Sequence, residues 1–182
     1  MSQMVILDRD GVINHDSEDF IKSPDEWIPI KGSIEAISRL KKADYLVTVA
    51  TNQSGIARGL YDEKKLGKIH DKFEQQLSQR GAAIDGIFYC PHGPSDNCIC
   101  RKPKPGLLLQ IAKQFNIKLS ETIFVGDTIT DIKAARLAGA IPVLVKTGNG
   151  EATIEKFGPF EEIPVYDNLS HFVREFLRKH GN

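Results

Sequence analysis

Acidic residues follow the first short apolar segment of this sequence, at a spacing that suits metal-assisted chemistry. The segment ends in Asp8-Arg9-Asp10-Gly11. Residues two apart in an extended chain point to the same side, so the carboxylates of Asp8 and Asp10 can face one site. Paired carboxylates at the end of a buried strand suit a hard divalent cation such as Mg²⁺. An ordinary turn is the alternative, because Asp and Gly are both common turn residues.

The second and third sets of polar residues, each downstream of an apolar segment, could bind an anion. The set after the second apolar segment has hydroxyl and amide groups that suit phosphate oxygens. Its residues are Thr51, Asn52, Gln53 and Ser54. A polar loop between a strand and a helix is an equally good interpretation of those residues. The other, residues 101–106, places the positive charge of Arg101 and Lys102 ahead of a predicted helix. Its prolines would hold the loop stiff enough to aim a side chain, whereas the alternative is a solvated basic loop.

A second pair of acids follows the fourth apolar segment, in Gly126-Asp127-Thr128-Ile129-Thr130-Asp131. Asp127 could complete a metal site with the first pair. A strand-end turn is the alternative for Asp127. A helix N-cap is a strong alternative for Asp131, and contact of Asp131 with the metal stays open. The order of acid pair, hydroxyl, lysine and acid after consecutive segments is difficult to explain by turn chemistry alone.

Three cysteines and a histidine lie within residues 90–100. They are Cys90, His92, Cys98 and Cys100. Three thiolates and one imidazole match a closed tetrahedral zinc site, which is structural rather than catalytic. Three buried free cysteines are the alternative, and an odd number excludes complete disulfide pairing within the chain. Such a zinc-binding loop would stiffen the segment that carries Arg101 and Lys102.

Alternating apolar patterns predict the elements that position these residues. Short β-branched segments predict strands at 4–7, 45–50, 86–89, 122–125 and 141–145. Helical spacing of apolar residues predicts helices at 33–42, 62–79, 107–115, 131–138 and 169–179, the last capped by Asn168 or Ser170 and ending near Gly181. Alternating strands and helices predict an α/β fold with a doubly wound, mostly parallel sheet, as a single domain over 1–182.

The spacing of the motifs leaves no room for a separate cap domain, either after Asp10 or between Thr51 and Lys102. The site is therefore predicted to be open, with specificity supplied by loops. The candidate loops are Asp16 to Asp19 and Gln53 to Arg58, together with Arg101. Within them, the expected substrate contacts are Asp16, Asp19, Gln53, Ser54, Arg58 and Arg101. Arg58 and Arg101 could hold a second phosphate through bidentate hydrogen bonds, although a solvated Arg58 is an equal alternative.

Composition and charge narrow the class of partner. The chain has 182 residues, with 24 basic and 24 acidic side chains. Balanced charge gives no overall basic field for nucleic acid or an anionic membrane. No apolar run approaches the length of a membrane span, and the N-terminus has no signal-peptide pattern. We therefore expect a cytoplasmic protein that acts on a small phosphorylated metabolite. No surplus apolar helix face is evident, which predicts a monomer.

Taken together, these motifs resemble those of the haloacid dehalogenase-like phosphatases, which have a Rossmann-like fold. The family has a DxDG motif, a strand-ending Ser or Thr, a Lys ahead of a helix and a GDxxxD motif. The matching residues here are Asp8 to Gly11, Thr51, Lys102 and Gly126 to Asp131. The resemblance implies that Asp8 is a nucleophile that becomes phosphorylated and that Asp10 is the general acid and base.

The same resemblance implies the ligands of the catalytic metal and of the phosphoryl group. Mg²⁺ would be bound by the Asp8 side chain, the Asp10 backbone carbonyl and Asp127. Lys102 and Thr51 would contact the transferring phosphoryl group, whose transition state needs its charge stabilised.

The zinc loop followed by Arg-Lys-Pro resembles one branch of that superfamily. The branch contains the D-glycero-D-manno-heptose 1,7-bisphosphate 7-phosphatases and the histidinol phosphatases. Residues 51–59, and Thr147 to Gly150 with Thr153, are similar to the heptose enzymes, and we expect a chain that stands alone rather than one fused to a dehydratase. The length of the zinc loop is closer to the histidinol type. The resemblance implies removal of the 7-phosphate in the synthesis of nucleotide-activated heptose for lipopolysaccharide, with histidinol phosphate hydrolysis as the alternative.

Functions from other classes fit the residues less well. A phospho-accepting signalling domain would lack the second acid, Asp10, which promotes rapid hydrolysis. A zinc-dependent interaction module would not require Asp8 and Asp127 together. A nucleic-acid phosphatase would need a basic stripe with interleaved aromatic residues, and the sequence has none.

Overall fold

Six short strands form one parallel sheet in the computed structural model, which describes residues 3–180. The strands are β1 (Met4–Leu7), β2 (Leu46–Asn52), β3 (Gly86–Cys90), β4 (Ile123–Gly126), β5 (Ile141–Val145) and β6 (Val165–Tyr166). Their spatial order is β3-β2-β1-β4-β5-β6, and every neighbouring pair is parallel. The predicted doubly wound parallel sheet is therefore confirmed.

Helices cover both faces of this sheet. They are α1 (Ser33–Lys42), α2 (Glu63–Ser78), α3 (Gly106–Phe115), α4 (Ile129–Ala138), α5 (Gly150–Phe157) and α6 (Leu169–His180), with a 3₁₀ turn at Leu119–Glu121. Side chains alternate along β1, where Val5 and Leu7 face the core beneath α1, α2 and α6, whereas Met4 and Ile6 face the core beneath α3 and α4. All four side chains are buried, which explains why the strand is apolar on both faces.

The predicted elements agree with the structure except for a few ends and omissions. Strand β2 extends two residues beyond its predicted end, so Thr51 lies within the strand. Strand β6, helix α5 and the 3₁₀ turn were not predicted, because β6 has only two residues and α5 begins in a glycine-rich segment. Helix α6 is capped by Asn168, whose Oδ1 accepts a hydrogen bond of 2.8 Å from the His171 backbone. Its predicted end near Gly181 lies outside the described residues.

The strand order reverses at β1, which brings the motif-bearing strand ends together. Strands β2 and β3 lie on one side of β1, and β4 to β6 lie on the other. In a sheet wound this way, a crevice opens beyond the carboxyl ends of the strands at the reversal. Residues Asp8 and Asp127, which follow the adjacent strands β1 and β4, border that crevice.

Loops, rather than a further domain, surround this edge of the sheet in the part of the chain that the structure describes. The longest connection, residues 8–32, joins β1 to α1 and is anchored by Ile13 and Trp27, which are both fully buried. The capless architecture predicted from the motif spacing is therefore confirmed. Within residues 3–180, no helix is both long enough and apolar enough to cross a membrane.

Candidate active site

A buried lysine ties together carboxylates that follow two different strands. The Lys102 ammonium lies 2.9 Å from Asp8 Oδ1 and 2.7 Å from Asp131 Oδ1. It also donates a hydrogen bond of 2.9 Å to the Ala50 carbonyl of β2. Carboxylate oxygens of Asp8, Asp127 and Asp131 all lie within 4.8 Å of one another. Because Lys102 is only 2% exposed, its charge is directed entirely at this cluster.

The carboxylates outnumber the ammonium, and the site therefore carries excess negative charge. Burial raises the pKa of the Asp8 carboxyl to about 7, against the opposing effect of Lys102. Burial and the adjacent carboxylates of Asp131 and Asp8 raise the pKa of Asp127 to about 8. Burial would lower the pKa of Lys102, but Asp131 and Asp8 outweigh it and raise that pKa. Three carboxylates and one ammonium leave a deficit of two positive charges, which a divalent cation would supply.

The orientation of Asp127 fits a cation ligand. Its Oδ2 accepts a hydrogen bond of 2.8 Å from the Asn149 backbone, whereas its buried Oδ1 has no hydrogen-bond partner within residues 3–180. A buried carboxylate oxygen without a donor is costly unless a cation contacts it. Gly148, with a φ of +61°, packs directly on this carboxylate, and a side chain there would overlap it. The donor set, all oxygen, suits Mg²⁺.

The Asp10 carboxylate lies apart from this cluster in a different environment. It accepts hydrogen bonds from Arg9 Nη2 (2.9 Å), Asn14 Nδ2 (2.8 Å) and Gln53 Nε2 (2.9 Å). Burial raises the pKa of Asp10, but the Arg9 guanidinium and these hydrogen bonds outweigh burial and lower it. The two acids of the first motif are therefore held in opposite electrostatic environments.

Thr51, Asn52 and Gln53 at the end of β2 were predicted to contact phosphate, and in the structure each bonds to other protein groups. The Thr51 hydroxyl oxygen accepts a hydrogen bond of 2.9 Å from Gln53, which leaves its own proton available to a ligand in the cleft. The Asn52 amide and the Lys102 backbone exchange two hydrogen bonds of 3.1 Å each. Both the Asn52 and Gln53 amides are thus engaged with protein groups, and their predicted contact with substrate stays a prediction.

A cleft of about 260 Å³ opens above these groups. It is lined by eight of the predicted site residues: Asp8, Asp10, Asp16, Thr51, Asn52, Gln53, Lys102 and Asp127. Ser17 and Glu18, from the predicted loop Asp16 to Asp19, also line it. The lining residues that were not predicted are Phe20, Ile21, Tyr61, Thr128, Thr130 and Asn149. The site was predicted from polar residues that directly follow a strand. Tyr61 and Phe20 are aromatic residues farther along the loops, so that pattern does not identify them.

The remaining predicted substrate contacts lie outside the cleft lining. Ser54 is buried, whereas Asp19 and Arg58 are exposed. The Arg58 guanidinium lies 5.6 Å from the centre of the Phe20 ring at the rim of the cleft. Arg101 donates a hydrogen bond of 3.2 Å to the His92 carbonyl. A substrate that extends beyond the cleft would be needed to reach Arg58 or Arg101.

A larger cavity, of about 380 Å³, lies at the opposite edge of the sheet. It is lined by residues near the amino ends of β1, β2 and β4, among them Met4, Leu46 and Thr122. None of the motif residues contributes to it. Chemistry rather than volume therefore identifies the smaller cleft as the site.

The predicted zinc ligands converge at one point. The Cys90 sulfur lies 3.7 Å from that of Cys98, 3.1 Å from that of Cys100 and 3.6 Å from His92 Nδ1. Around a tetrahedral zinc ion, sulfurs lie about 3.8 Å apart, and a sulfur and an imidazole nitrogen about 3.6 Å apart. Two of the three distances match this spacing, the distances to Cys100 are shorter, and the ligand atoms of all four residues lie within 4.8 Å of one another. Cys98 also accepts a hydrogen bond of 3.4 Å from the Arg101 backbone, which links the cluster to the basic loop.

Comparison with known proteins relates the chain to one group of phosphatases. A family model described as HAD-hydrolase-like matches residues 99–172. The chain is 53% identical over 175 residues to a D-glycero-β-D-manno-heptose-1,7-bisphosphate 7-phosphatase from Pseudomonas aeruginosa, covering 96% of this chain and 98% of the relative. Identity is 49% over 177 residues to the protein of the same name from Bordetella bronchiseptica, covering 97% and 99%.

A solved structure has the same fold. The D,D-heptose 1,7-bisphosphate phosphatase from B. bronchiseptica, in complex with magnesium and phosphate, superimposes with a TM-score of 0.95. Its sequence is 48% identical, and the match covers 97% of this chain and 99% of that one.

The raised pKa values of Asp8 and Asp127 predict how stability depends on pH without metal. Between about pH 6.5 and pH 8, the folded state holds more protons on these carboxyls than the unfolded state, so stability falls as pH rises. We expect the free energy of unfolding to decrease by about 2 kcal/mol across this window. Below it, His70 acts in the opposite sense, because burial lowers its pKa to about 3.

Urea unfolding in the presence of a chelator measures this dependence. Asp127→Asn should remove at least half of the decrease, whereas Asp25→Asn, at an exposed position, should leave it unchanged. A stability that is constant or rises over this window would contradict the proposed charge distribution.

Proposed function

Because the chain belongs to the D-glycero-β-D-manno-heptose-1,7-bisphosphate 7-phosphatase family of the haloacid dehalogenase-like hydrolases, we propose that it removes the 7-phosphate of that heptose bisphosphate. The carrying observation is the buried cluster of Asp8, Lys102 and Asp127 at the strand reversal, in a chain about 50% identical to enzymes of that name. Hydrolysis of a phosphate monoester is the chemistry of this family. The pathway we propose is the supply of nucleotide-activated heptose for surface polysaccharide.

We propose Asp8 as the nucleophile. One carboxylate oxygen attacks phosphorus, the bond from phosphorus to the sugar oxygen breaks, and an acyl phosphate forms on Asp8. The Lys102 ammonium, 2.9 Å from Asp8 Oδ1, holds the carboxylate in place and favours its ionised form. Asp8 Oδ1 also accepts a hydrogen bond of 2.7 Å from the Arg9 backbone, so the other oxygen of this cleft-lining residue would be the one that attacks.

Asp10 is proposed to move the protons. It would donate a proton to the departing sugar oxygen and then accept one from the water that hydrolyses the acyl phosphate. Its lowered pKa in the free protein suits the second role. A bound phosphate ester brings negative charge close to Asp10, which raises its pKa and favours the protonated form needed for the first role.

Mg²⁺ is the proposed catalytic cofactor, held by the Asp8 side chain, the Asp10 backbone carbonyl and Asp127 Oδ1. When bound, it supplies the positive charge that offsets the carboxylates and the phosphoryl oxygens. The related structure that contains magnesium and phosphate supports this assignment. The free Thr51 proton would contact the transferring phosphoryl group. Lys102 would contact the same group by exchanging one of its three present acceptors for a phosphoryl oxygen, and Asn52 would fix the Lys102 backbone.

The rim of the cleft is proposed to recognise the remainder of the substrate. Asp16 lines the cleft, accepts a hydrogen bond of 2.8 Å from Asn149 and would contact sugar hydroxyls. Arg58 and Arg101, outside the cleft lining, would hold the phosphate on the anomeric carbon. Relatives at 45–53% identity carry the β anomer in their names, so we propose a preference for the β-bisphosphate. The same names favour the heptose substrate over histidinol phosphate.

Zinc is the proposed occupant of the cysteine cluster, with a structural role. Cys90, His92, Cys98 and Cys100 would fill all four positions of a tetrahedral zinc ion. The last ligand is joined directly to Arg101, so an ordered loop would fix the basic segment beside the cleft. Thiolate ligands require reduced cysteines, which supports a cytoplasmic location. We further propose that the enzyme acts as a monomer.

Substrate comparison tests the proposed function. We expect Mg²⁺-dependent phosphate release with a kcat/KM for the β-heptose bisphosphate at least about a hundredfold above that for histidinol phosphate, because only the former presents a second phosphate to the rim. The α anomer should give an intermediate value. Phosphate assays with the three compounds measure these constants. A preference for histidinol phosphate would contradict the proposed substrate while leaving the phosphatase chemistry intact.

Removal of a zinc ligand tests the second metal site. Cys98→Ser should reduce zinc content from about one ion per chain to less than about a tenth, lower the melting temperature and raise KM through the Arg101 segment. Ser95→Ala, an exposed change within the same loop, is the matched control and should retain full zinc. Elemental analysis and thermal unfolding measure both. Full zinc content in Cys98→Ser would refute the assignment.

A further inference from the structure

We propose that Arg9, held by His70 and by a Gln53 that Tyr61 fixes in turn, is a positioning residue that orients the Asp10 carboxylate for proton transfer to the departing oxygen. The inference rests on the proposed phosphatase mechanism and deepens it. Arg9 lies between the two catalytic acids in sequence, yet its side chain is 1% exposed. It therefore cannot act as a surface cation that captures substrate.

Arg9 clamps Asp10 with several donors at once. Its Nε lies 3.1 Å from Asp10 Oδ1, and its Nη2 lies 2.9 Å and 3.0 Å from the two Asp10 oxygens. A planar guanidinium that contacts a carboxylate in this way fixes orientation as well as charge. Asn14 completes the clamp through a hydrogen bond of 2.8 Å to Oδ1.

Gln53 connects this clamp to the end of β2. Its Nε2 donates to Asp10 Oδ2 and to Thr51 Oγ1, at 2.9 Å each. Its Oε1 accepts from Arg9 Nη2 at 3.2 Å and from the Tyr61 hydroxyl at 2.6 Å. The Tyr61 hydroxyl and Arg9 are donors, so the amide has one orientation in which all four bonds form. The same amide therefore orients the proposed proton donor and the proposed phosphate contact Thr51.

Tyr61 and His70 hold the outer side of the network. The Tyr61 ring packs against Gly55, where a side chain would overlap it. His70, on α2, lies 3.3 Å from Arg9 Nη1 through its Nε2. Arg9 can only donate, so His70 accepts with an unprotonated Nε2, in keeping with a pKa that burial and Arg9 lower to about 3. Arg9 is thus held on both sides, and neither Tyr61 nor His70 contacts the Asp8 cluster.

A positioned acid matters only when the departing oxygen needs a proton. An alkoxide leaves phosphorus poorly unless it is protonated, whereas 4-nitrophenolate leaves readily without a proton. A disturbed Asp10 should therefore slow alkyl esters much more than the nitrophenyl ester. General damage to the fold, or loss of phosphate binding, would slow both esters equally.

The test compares kcat/KM for glycerol 3-phosphate and for 4-nitrophenyl phosphate with Mg²⁺, since kcat/KM reports the steps up to formation of the phosphoenzyme. In Arg9→Lys, we expect the ratio of kcat/KM for glycerol 3-phosphate to kcat/KM for 4-nitrophenyl phosphate to fall roughly tenfold or more. In Tyr61→Phe, which removes one hydrogen bond to Gln53, we expect a fall of roughly threefold in the same direction. Tyr45→Phe is the matched control, because Tyr45 is buried against Phe176 near the amino end of β2, away from the site.

Each outcome has a definite meaning. An unchanged ratio in both Arg9→Lys and Tyr61→Phe, with the wild type active on both esters, would overturn the positioning role and leave the phosphatase assignment intact. If Arg9→Lys fails to fold, the ratio in Tyr61→Phe decides. If the wild type acts on the heptose bisphosphate but not on glycerol 3-phosphate, the heptose bisphosphate serves as the alkyl ester in this comparison. A wild-type protein that releases phosphate from none of the three compounds would overturn the proposed function and this inference with it.

Discussion

The ion pairs of one buried lysine connect the parts of this molecule that the chemistry needs. Lys102 arrives from the loop after the cysteine cluster and reaches carboxylates that follow β1 and β4, as well as a carbonyl of β2. An ammonium held away from water is tolerated only when charge and hydrogen bonds compensate it. Its three acceptors lie 2.7 to 2.9 Å away and satisfy all three of its protons. Lys102 can therefore be buried only if the ends of β1, β2 and β4 hold these three acceptors close together.

The single positive charge of Lys102 does not balance the carboxylates around it. As a result, the pKa values of Asp8 and Asp10 shift in opposite directions. Asp8 shares one ammonium with two further carboxylates, and burial raises its pKa. Asp10, two residues away, faces a guanidinium and two amides, and its pKa is lowered. A divalent cation beside Asp8 and Asp127 would offset the excess negative charge around Asp8 and leave the surroundings of Asp10 unchanged. The proposed division of labour between Asp8 as nucleophile and Asp10 as proton carrier would follow from the cation that each acid faces.

The sequence allowed prediction of the sheet, most of the helices and the residues at the strand ends, because strand ends of a parallel sheet converge wherever the strands lie. The roles of neighbouring residues were harder to foresee. Asn52 and Gln53 were predicted to bind substrate from their polar side chains, yet both amides bond to protein groups. His70 reaches the network from helix α2, and nothing in the local sequence indicates that contact. Tertiary packing decides which way a side chain faces and which distant residue it contacts. The order of residues along the chain does not reveal either.

The central claim is a phosphate carried by Asp8, and chemical trapping tests it most directly. Enzyme quenched during turnover and treated with borohydride converts an aspartyl phosphate to homoserine, which peptide mass spectrometry locates. We expect homoserine at position 8 alone, only when substrate and Mg²⁺ are both present, and none in Asp8→Asn. Turnover at full rate with no homoserine, or homoserine at Asp10 or Asp127, would show that water attacks phosphorus directly or that another carboxylate is the nucleophile.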